Sequence, residues 1–514
     1  MADIPAGYQS MRKLIARQAM QFGGNTYIHA IDQDKNLSYQ DLFQLGNRMA
    51  QFFQDRGIGA NDRILMLSDN SVEFVAIFLG VQRYGATIAT ANVEMNRQHL
   101  AEIIRALDPK LILVEDGLGF EDLRRQSSDY DWMSIGEWRA EGGSTEFFGS
   151  IENYSADADI AEVCGPGNIA VIFYTSGTEA KPKGVLQTHL NVWANYDASA
   201  DCVELGPGDR MLDCRSYTWL SSQNMSLGGP LMRGATVYMA KRFSRRRYFE
   251  WVAKYEIHIA IAVPAILNIL MTEPGDIHGR RLPHLRFLMT SSAPMLPDQW
   301  AEFEKTYGMR VCQSYGCSEG GLMCSHRGRD RKIGTVGPPL KYQMLRILGA
   351  DGSEMPEGQP GEITVSGPQT SYAYLEPDGR VELLPAAGHR TGDLGIRGVG
   401  GHITVVGRLK DQIIRGGVNI SPTEIDNILA RHADIIDAAA VGVPDEIYGE
   451  EVVAYVVARQ AGTLSVATVI AHCGQYLAPF KTPKEIYFID EIPKNARGKL
   501  DRDVLAGAWK RENA

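Results

Sequence analysis

Strand-like and helix-like patterns alternate through most of the chain, and this alternation constrains the fold more than any other feature. Ser38 with Asp41 forms a capping-box start. Leu42, Leu45, Met49, Phe52 and Phe53 then line one face of a helix that Gly57 stops. Residues 63–67 read as a short strand. Asn70 with Glu73 opens a second helix carrying Phe74, Ile77, Phe78 and Val81, which ends near Gly85. Residues 110–114 read as another strand. Strands separated by helices require crossover connections, so the sheet they build is largely parallel.

The pattern continues with strands predicted around 169–174, 237–239, 259–263, 286–289 and 310–313, and helices around 246–255 and 297–307. From about Val336 the texture shifts to shorter strands with Gly and Pro turns, which predicts an antiparallel subdomain. After Gly407 the alternation restarts. Ser421-Pro422-Thr423-Glu424 combines an N-cap, a proline at the first helical position and a capping-box Glu. Strands near 438–443 and 452–457, a helix near 465–476 and a strand at 486–489 complete a compact α+β tail. The expected fold class is therefore α/β. A large N-terminal domain of parallel-type α/β subdomains plus a small antiparallel β subdomain spans 1–408, and an α+β C-terminal domain spans 409–514. A length of 514 residues accommodates this division.

The net charge of −10 argues against nucleic acid or an anionic membrane as the main partner, while leaving room for a local basic site for a phosphorylated ligand. No apolar run approaches the roughly 18 residues a membrane helix needs, so no stable membrane insertion is expected. The first residues lack the unbroken apolar stretch of a signal peptide. The 7 cysteines are odd in number and form no paired C-x-x-C spacing, and Cys312, Cys317 and Cys324 suit neither a zinc ribbon nor a redox motif. These features predict reduced thiols and a cytoplasmic location.

The segment VIFYTSGTEAKPKGVLQT, from Val171 to Thr188, is the most informative. A buried strand runs into Tyr174-Thr175-Ser176-Gly177-Thr178, then Lys181-Pro182-Lys183-Gly184, then a second strand. Hydroxyls, exposed backbone N–H groups and ammonium groups at a strand end suit a polyphosphate. It is not a Walker loop, because Pro182 stands five after Gly177, where the second glycine would be, and Val185 follows Gly184. Gly165-Pro166-Gly167-Asn168-Ile169-Ala170 fits G-x-G-x-x-A but precedes a strand, so it is no dinucleotide fingerprint.

TSGTEAKPKG resembles the phosphate loop of the adenylate-forming superfamily, which includes acyl-CoA synthetases, nonribosomal adenylation domains and luciferases. It departs at Glu179 and Ala180, where the family usually has Thr and Gly, which removes a hydroxyl and a flexible position. Further segments match in order. Gln313-Ser314-Tyr315-Gly316-Cys317-Ser318-Glu319 is similar to the family's YGxTE motif. The resemblance places Tyr315 beside adenine, Ser318 at phosphate and Glu319 on Mg²⁺, in keeping with the preference of a hard cation for carboxylate oxygen. Ser291-Ser292-Ala293-Pro294 occupies the adenine-lining position without its usual glycine, and Thr391-Gly392-Asp393 matches the TGD whose Asp accepts from the ribose hydroxyls. Gly407-Arg408-Leu409-Lys410-Asp411 resembles the interdomain hinge, with Arg408 reaching ribose or phosphate and Lys410 as the pivot of a mobile C-terminal domain. Arg415-Gly416-Gly417-Val418-Asn419 resembles the loop that admits the pantetheine arm of CoA. Pro493-Lys494-Asn495-Ala496-Arg497-Gly498-Lys499 resembles the C-terminal motif whose Lys499 bridges substrate carboxylate and α-phosphate.

The resemblance implies a carboxylic acid–CoA ligase using ATP, CoA and Mg²⁺. The alternatives are a stand-alone enzyme loading a carrier protein in trans, and a nucleotide-binding scaffold without catalysis, against which Glu319, Asp393 and Lys499 argue. A homo-oligomer is left open. By position, Tyr217, Trp219, Ser222 and Gln223 line the acyl pocket, and the Trp219 indole restricts it to a small, branched or cyclic acid. Arg215 is read as surface-exposed rather than as a partner for a second carboxylate.

Overall fold

The computed structural model describes residues 4–174, 182–272, 279–293, 295–328, 330–460, 462, 464–494 and 500–513. The alternating pattern resolves into two eight-stranded sheets, each a run of parallel strands with antiparallel strands at one or both edges. In the first, Thr26–Ala30, Thr236–Met239, Arg210–Asp213, Ile259–Ala262, Phe287–Thr290 and Val311–Cys317 lie side by side in parallel. Lys35–Ser38 and Gly321–Ser325 close its two edges antiparallel. The second sheet pairs Ile169–Tyr174, Thr87–Thr90, Arg63–Leu67, Leu111–Val114 and Trp132–Ser134 in parallel. Its other edge is antiparallel, running through Gly184–Thr188 and Ala373–Leu375 to Val381–Leu383.

The core sits between these sheets. Helix Val72–Tyr84 is buried on every side and touches strands of both. Helix His189–Cys202 is almost as deeply buried and also reaches both sheets. A helix buried all round has no solvent face, so it belongs inside a layered core, and its polar residues, among them Glu73 and Arg83, are buried with it. The longer helix Tyr39–Asp55 is amphipathic, and its Ser38–Asp41 capping box forms as expected. The start of helix Val72–Tyr84 differs by one residue: Ser71 caps it, accepting from the Phe74 amide at 3.0 Å. Asn70 reaches across instead. Its side-chain amide donates to the Arg215 carbonyl at 2.7 Å and its oxygen accepts from the Tyr217 amide at 2.8 Å, which ties two distant segments together.

A four-stranded antiparallel sheet follows, Met344–Leu348, Pro360–Ser366, His389–Arg397 and Ile403–Arg408, as the Gly/Pro-rich texture predicts. All strands of the last sheet lie beyond Lys410, in Ile413–Arg415, Val418–Ile420, Ile435–Asp445, Gly449–Ala458 and Glu485–Phe488. Helix Pro422–Leu429 begins where expected, but the Ser421 side chain caps nothing. Its hydroxyl instead donates to the Val406 carbonyl of strand Ile403–Arg408, at 2.6 Å. Among the described residues no helix is long and apolar enough to cross a membrane, and all 7 cysteines are free thiols.

Candidate functional site

In open α/β sheets ligands collect beyond the carboxyl ends of the strands. Three strand ends of the first sheet converge here. Arg210–Asp213 runs into Arg215 and Thr218–Asn224, Phe287–Thr290 into Ser291–Ser292, and Val311–Cys317 into Ser318–Glu319. With Phe173 and Tyr174 from the second sheet they wall a cavity of about 110 Å³. Trp219, Ser221, Asn224, Ser291, Ser292 and Ser318 contribute to its lining.

Asp393 lies nearly buried on the antiparallel sheet, directly across the strand pair from Arg408. Its Oδ1 accepts from Arg408 Nε at 2.8 Å and its Oδ2 from the Tyr315 hydroxyl at 2.6 Å. Burial, with Asp393 beside it, pushes the Tyr315 phenol well above its ordinary pKa, so it stays a donor. A carboxylate has about four lone-pair positions, so Asp393 retains capacity for two further donors.

Glu319 is half-buried at the end of the same loop. Its Oε1 accepts from the Tyr374 hydroxyl at 2.8 Å, and Oε2 lies 4.0 Å from His389 Nε2. Ligand atoms of Cys317, Glu319 and His389 all lie within 4.8 Å of one another. Burial lowers the His389 pKa, against the pull of Glu319, so the ring favours its neutral form. The loop is clamped by Ser371, whose amide donates to the Glu319 carbonyl at 2.7 Å and whose hydroxyl donates to the Ser318 carbonyl at 3.0 Å. Tyr374 and Ser371 were not predicted. They arrive because Ala373–Leu375 pairs onto Gly184–Thr188, and no local pattern announces a pairing that distant in sequence. Lys183 stands at the start of that same strand pair, 3.6 Å from Glu376 and 5.9 Å from the Tyr374 ring centroid.

Of the remaining predicted residues, Ser314 is buried with its hydroxyl 3.4 Å from the Thr290 carbonyl, and Gly316 lines the cavity. The Ala293 carbonyl accepts from Gln313 Nε2 at 3.2 Å. Ser292 adopts φ +75°, a left-handed conformation in which a non-glycine residue is strained. It belongs to the segment whose usual glycine-containing form is absent here. Lys410 lies exposed on a short 3₁₀ turn, 3.9 Å from Asp503. Gly416 and Gly417, at φ +57° and +82°, form the two-residue turn joining Ile413–Arg415 to Val418–Ile420, a geometry that favours glycine. Thr175, Ser176, Gly177, Thr178, Pro294 and Lys499 lie outside the described residues.

Of the four residues expected at the acyl pocket, one borders this cavity. Trp219 lines the cavity, but Tyr217, Ser222 and Gln223 do not. Tyr217 is fully buried behind it near Phe74, and Gln223 donates to Thr90 Oγ1 and the Tyr217 carbonyl at 3.0 Å each. Ser222 is fully buried as well. Residues 220–228 are helical, with a π turn over Gln223–Gly228, so the cavity receives Leu220, Ser221 and Asn224 rather than consecutive positions. The expectation for Arg215 also fails. It is 3% exposed, because Asp213 two residues back supplies a buried counter-charge.

A model of the family described as AMP-binding enzyme matches residues 15–375, and one of the AMP-binding enzyme C-terminal domain matches 424–499. The chain is 32% identical to the sulfoacetate–CoA ligase of Cupriavidus necator over 509 residues, covering 97% of each. It is 30% identical to the oxalate–CoA ligase of Arabidopsis thaliana over 480 residues, 92% of this chain and 93% of that one. Among solved structures, ATP-bound MatB from Rhodopseudomonas palustris matches with a TM-score of 0.87 at 25% identity, covering 97% of this chain and 99% of the other.

Proposed function

Because this chain belongs to the AMP-binding enzyme family, and within the adenylate-forming superfamily to the acyl-CoA synthetase type, we propose that it is an ATP-dependent carboxylic acid–CoA ligase for a small acid. The observation that carries the reading is that Gly316 and Ser318 line a cavity of about 110 Å³ while their chain neighbours are held in place, Tyr315 by donating to Asp393 and Glu319 by accepting from Tyr374. A carboxylate is a poor acyl donor because its leaving group is oxide. Its oxygen attacks the α-phosphorus of ATP, pyrophosphate leaves, and the acyl-adenylate forms. The CoA thiolate then attacks the acyl carbon and AMP departs. No protein nucleophile is needed, so the chain contributes positioning and charge complementarity.

In this scheme Asp393 takes the ribose hydroxyls with its two remaining acceptor positions, and Arg408 is fixed by Asp393 beside the nucleotide. Tyr315, Ser292 and Ala293 border the base, while Ser318, Lys183 and the loop from Thr175 to Thr178 meet the phosphates. Glu319 fits Mg²⁺, which takes one or two carboxylate ligands and completes its shell with water and phosphate oxygens. When bound, the ion neutralises charge on the triphosphate. Trp219 closes the acyl end. The relatives named as CoA ligases favour CoA over a carrier-protein thiol as the acceptor.

Lys499 serves adenylation and the Gly416–Gly417 turn serves thioester formation, with Lys410 as the pivot between them. Residues 409–514 thereby act as a mobile domain. The test separates the half-reactions. Lys499→Ala should lose acid-dependent pyrophosphate release by orders of magnitude, yet convert synthetic acyl-adenylate and CoA to thioester at a near wild-type rate. Lys410→Pro should do the reverse if the chain rests in the adenylating pose. Equal loss of both steps in Lys499→Ala, with folding intact, would refute the two-pose scheme.

A further inference from the structure

We infer that the acyl cavity contains a subsite for a second anionic head, a carboxylate or sulfonate on a short spacer from the reacting carboxylate. The subsite is formed by Ser221 and Ser291 and backed by Arg215, and it rests on the acid–CoA ligase reading above. Arg215 carries five N–H donors, and all have acceptors. Nε donates to the Asp213 oxygens at 3.1 and 3.2 Å, and Nη2 donates to Asp213 Oδ2 at 2.8 Å and to Ser226 Oγ at 3.3 Å. Nη1 donates to Ser221 Oγ and to Ser291 Oγ, 3.2 Å each. Both serines border the cavity.

This arrangement fixes the polarity of the two hydroxyls. A guanidinium only donates, so Ser221 and Ser291 each spend a lone pair on Arg215 and keep a proton to give away. Besides Arg215, Ser291 Oγ has only the Ser292 hydroxyl near it among the described residues, at a long 3.4 Å. Asp213 occupies the Nε–Nη2 edge of the guanidinium, away from the two serines, so the buried pair turns its positive end towards the cavity wall. No Asp or Glu stands among the described lining residues, whereas Thr218 and Asn224 add further polar groups. An aliphatic tail would dehydrate these hydroxyls without replacing their partners, which is costly. An anionic head accepts from both. The cavity volume of about 110 Å³ suits a short spacer.

The full-length protein with MgATP and CoA is assayed for acyl-CoA formation from malonate, succinate, sulfoacetate and 3-sulfopropanoate, beside propanoate and butanoate. At least one two-headed acid should exceed the monoacid of matched length by tenfold or more in kcat/KM. Which acids respond separates carboxylate from sulfonate. Ser221→Ala and Ser291→Ala should each reduce the ratio of that acid's kcat/KM to propanoate's by about tenfold, mainly through KM, as expected for a hydrogen bond to a charged group. Arg215 acts through the serines as a positioning residue, so Arg215→Lys should retain part of the preference that Arg215→Met loses. A wild-type enzyme that uses propanoate or butanoate as well as every two-headed acid overturns the subsite and leaves the ligase reading standing. So does an equal fall for both acid classes in the serine variants. No acid-dependent pyrophosphate or acyl-CoA from any of the six acids overturns the ligase reading and the subsite with it.

Discussion

Removing one partner of the Asp213–Arg215 pair should cost far more than removing both. The side chains are 0% and 1% exposed, joined by contacts of 2.8, 3.1 and 3.2 Å, and the Arg215 amide adds a bond of 2.9 Å to the same carboxylate. Burial alone would lower the guanidinium's pKa, but Asp213 outweighs it and raises the pKa above its ordinary value, so the arginine remains charged. Arg215→Met therefore leaves a carboxylate buried without its cation, and Asp213→Leu leaves a cation without its carboxylate. Each should destabilise the fold by about 3–5 kcal/mol, the usual cost of an uncompensated buried charge. The double variant Asp213→Leu/Arg215→Met replaces the pair with apolar volume and should lose less than either single change, giving a coupling energy of about 3 kcal/mol or more. Urea unfolding followed by tryptophan fluorescence measures this, since the chain carries 7 Trp. Single losses below about 1 kcal/mol, or losses that simply add, would refute the claim that these charges depend on each other.

Glu319→Gln should weaken MgATP use and slow pyrophosphate release by about tenfold or more; a wild-type rate would remove Glu319 from the metal. Trp219→Gly should enlarge the cavity and shift preference towards bulkier acids with little change in the KM for ATP, read from an acid panel. Two buried histidines should make the fold acid-sensitive. Burial pushes His189 down to about 4, and burial with neighbouring His402 does the same to His326. His326 accepts from the Gln313 amide at 3.1 Å and lies 2.9 Å from Thr335 Oγ1, so a second ring proton has no acceptor. The unfolded chain takes up these protons first. Stability is therefore intact above the ordinary value of 6.5 and falls as pH drops towards about 4. Between pH 7.5 and 5 the loss should be about 2 kcal/mol per histidine, checked by urea midpoints across pH, with His326→Gln flattening the profile by about half.

The order of elements and the motifs were legible because each is written in consecutive residues. Helix Pro297–Tyr307 and strand Ile169–Tyr174 fall on the predicted residues, and Ser38 caps through a bond made three positions away. Such features depend on local periodicity and short-range hydrogen bonds, which a sequence records directly. Where a side chain found its partner outside its own helix, the local reading failed. Ser421 donates to the Val406 carbonyl and caps nothing, and Asn70 spans to Arg215 and Tyr217 while Ser71 takes the cap.

What the sequence determined by itself was the α/β class, the antiparallel insert and the family, all carried by patterns that survive without knowledge of any long-range contact. What only the tertiary structure decided was the character of the cavity and its surroundings. Tyr374 reaches Glu319 through a strand pairing between distant segments. A π turn selects Ser221 and Asn224 over Ser222 and Gln223. Asp213 allows Arg215 to be buried, and Ser291, 76 residues away, receives its remaining donor. Burying a charge is tolerable only when its counter-charge and hydrogen-bond partners are assembled around it, and that assembly exists only once the carboxyl ends of separate strands meet in one sheet.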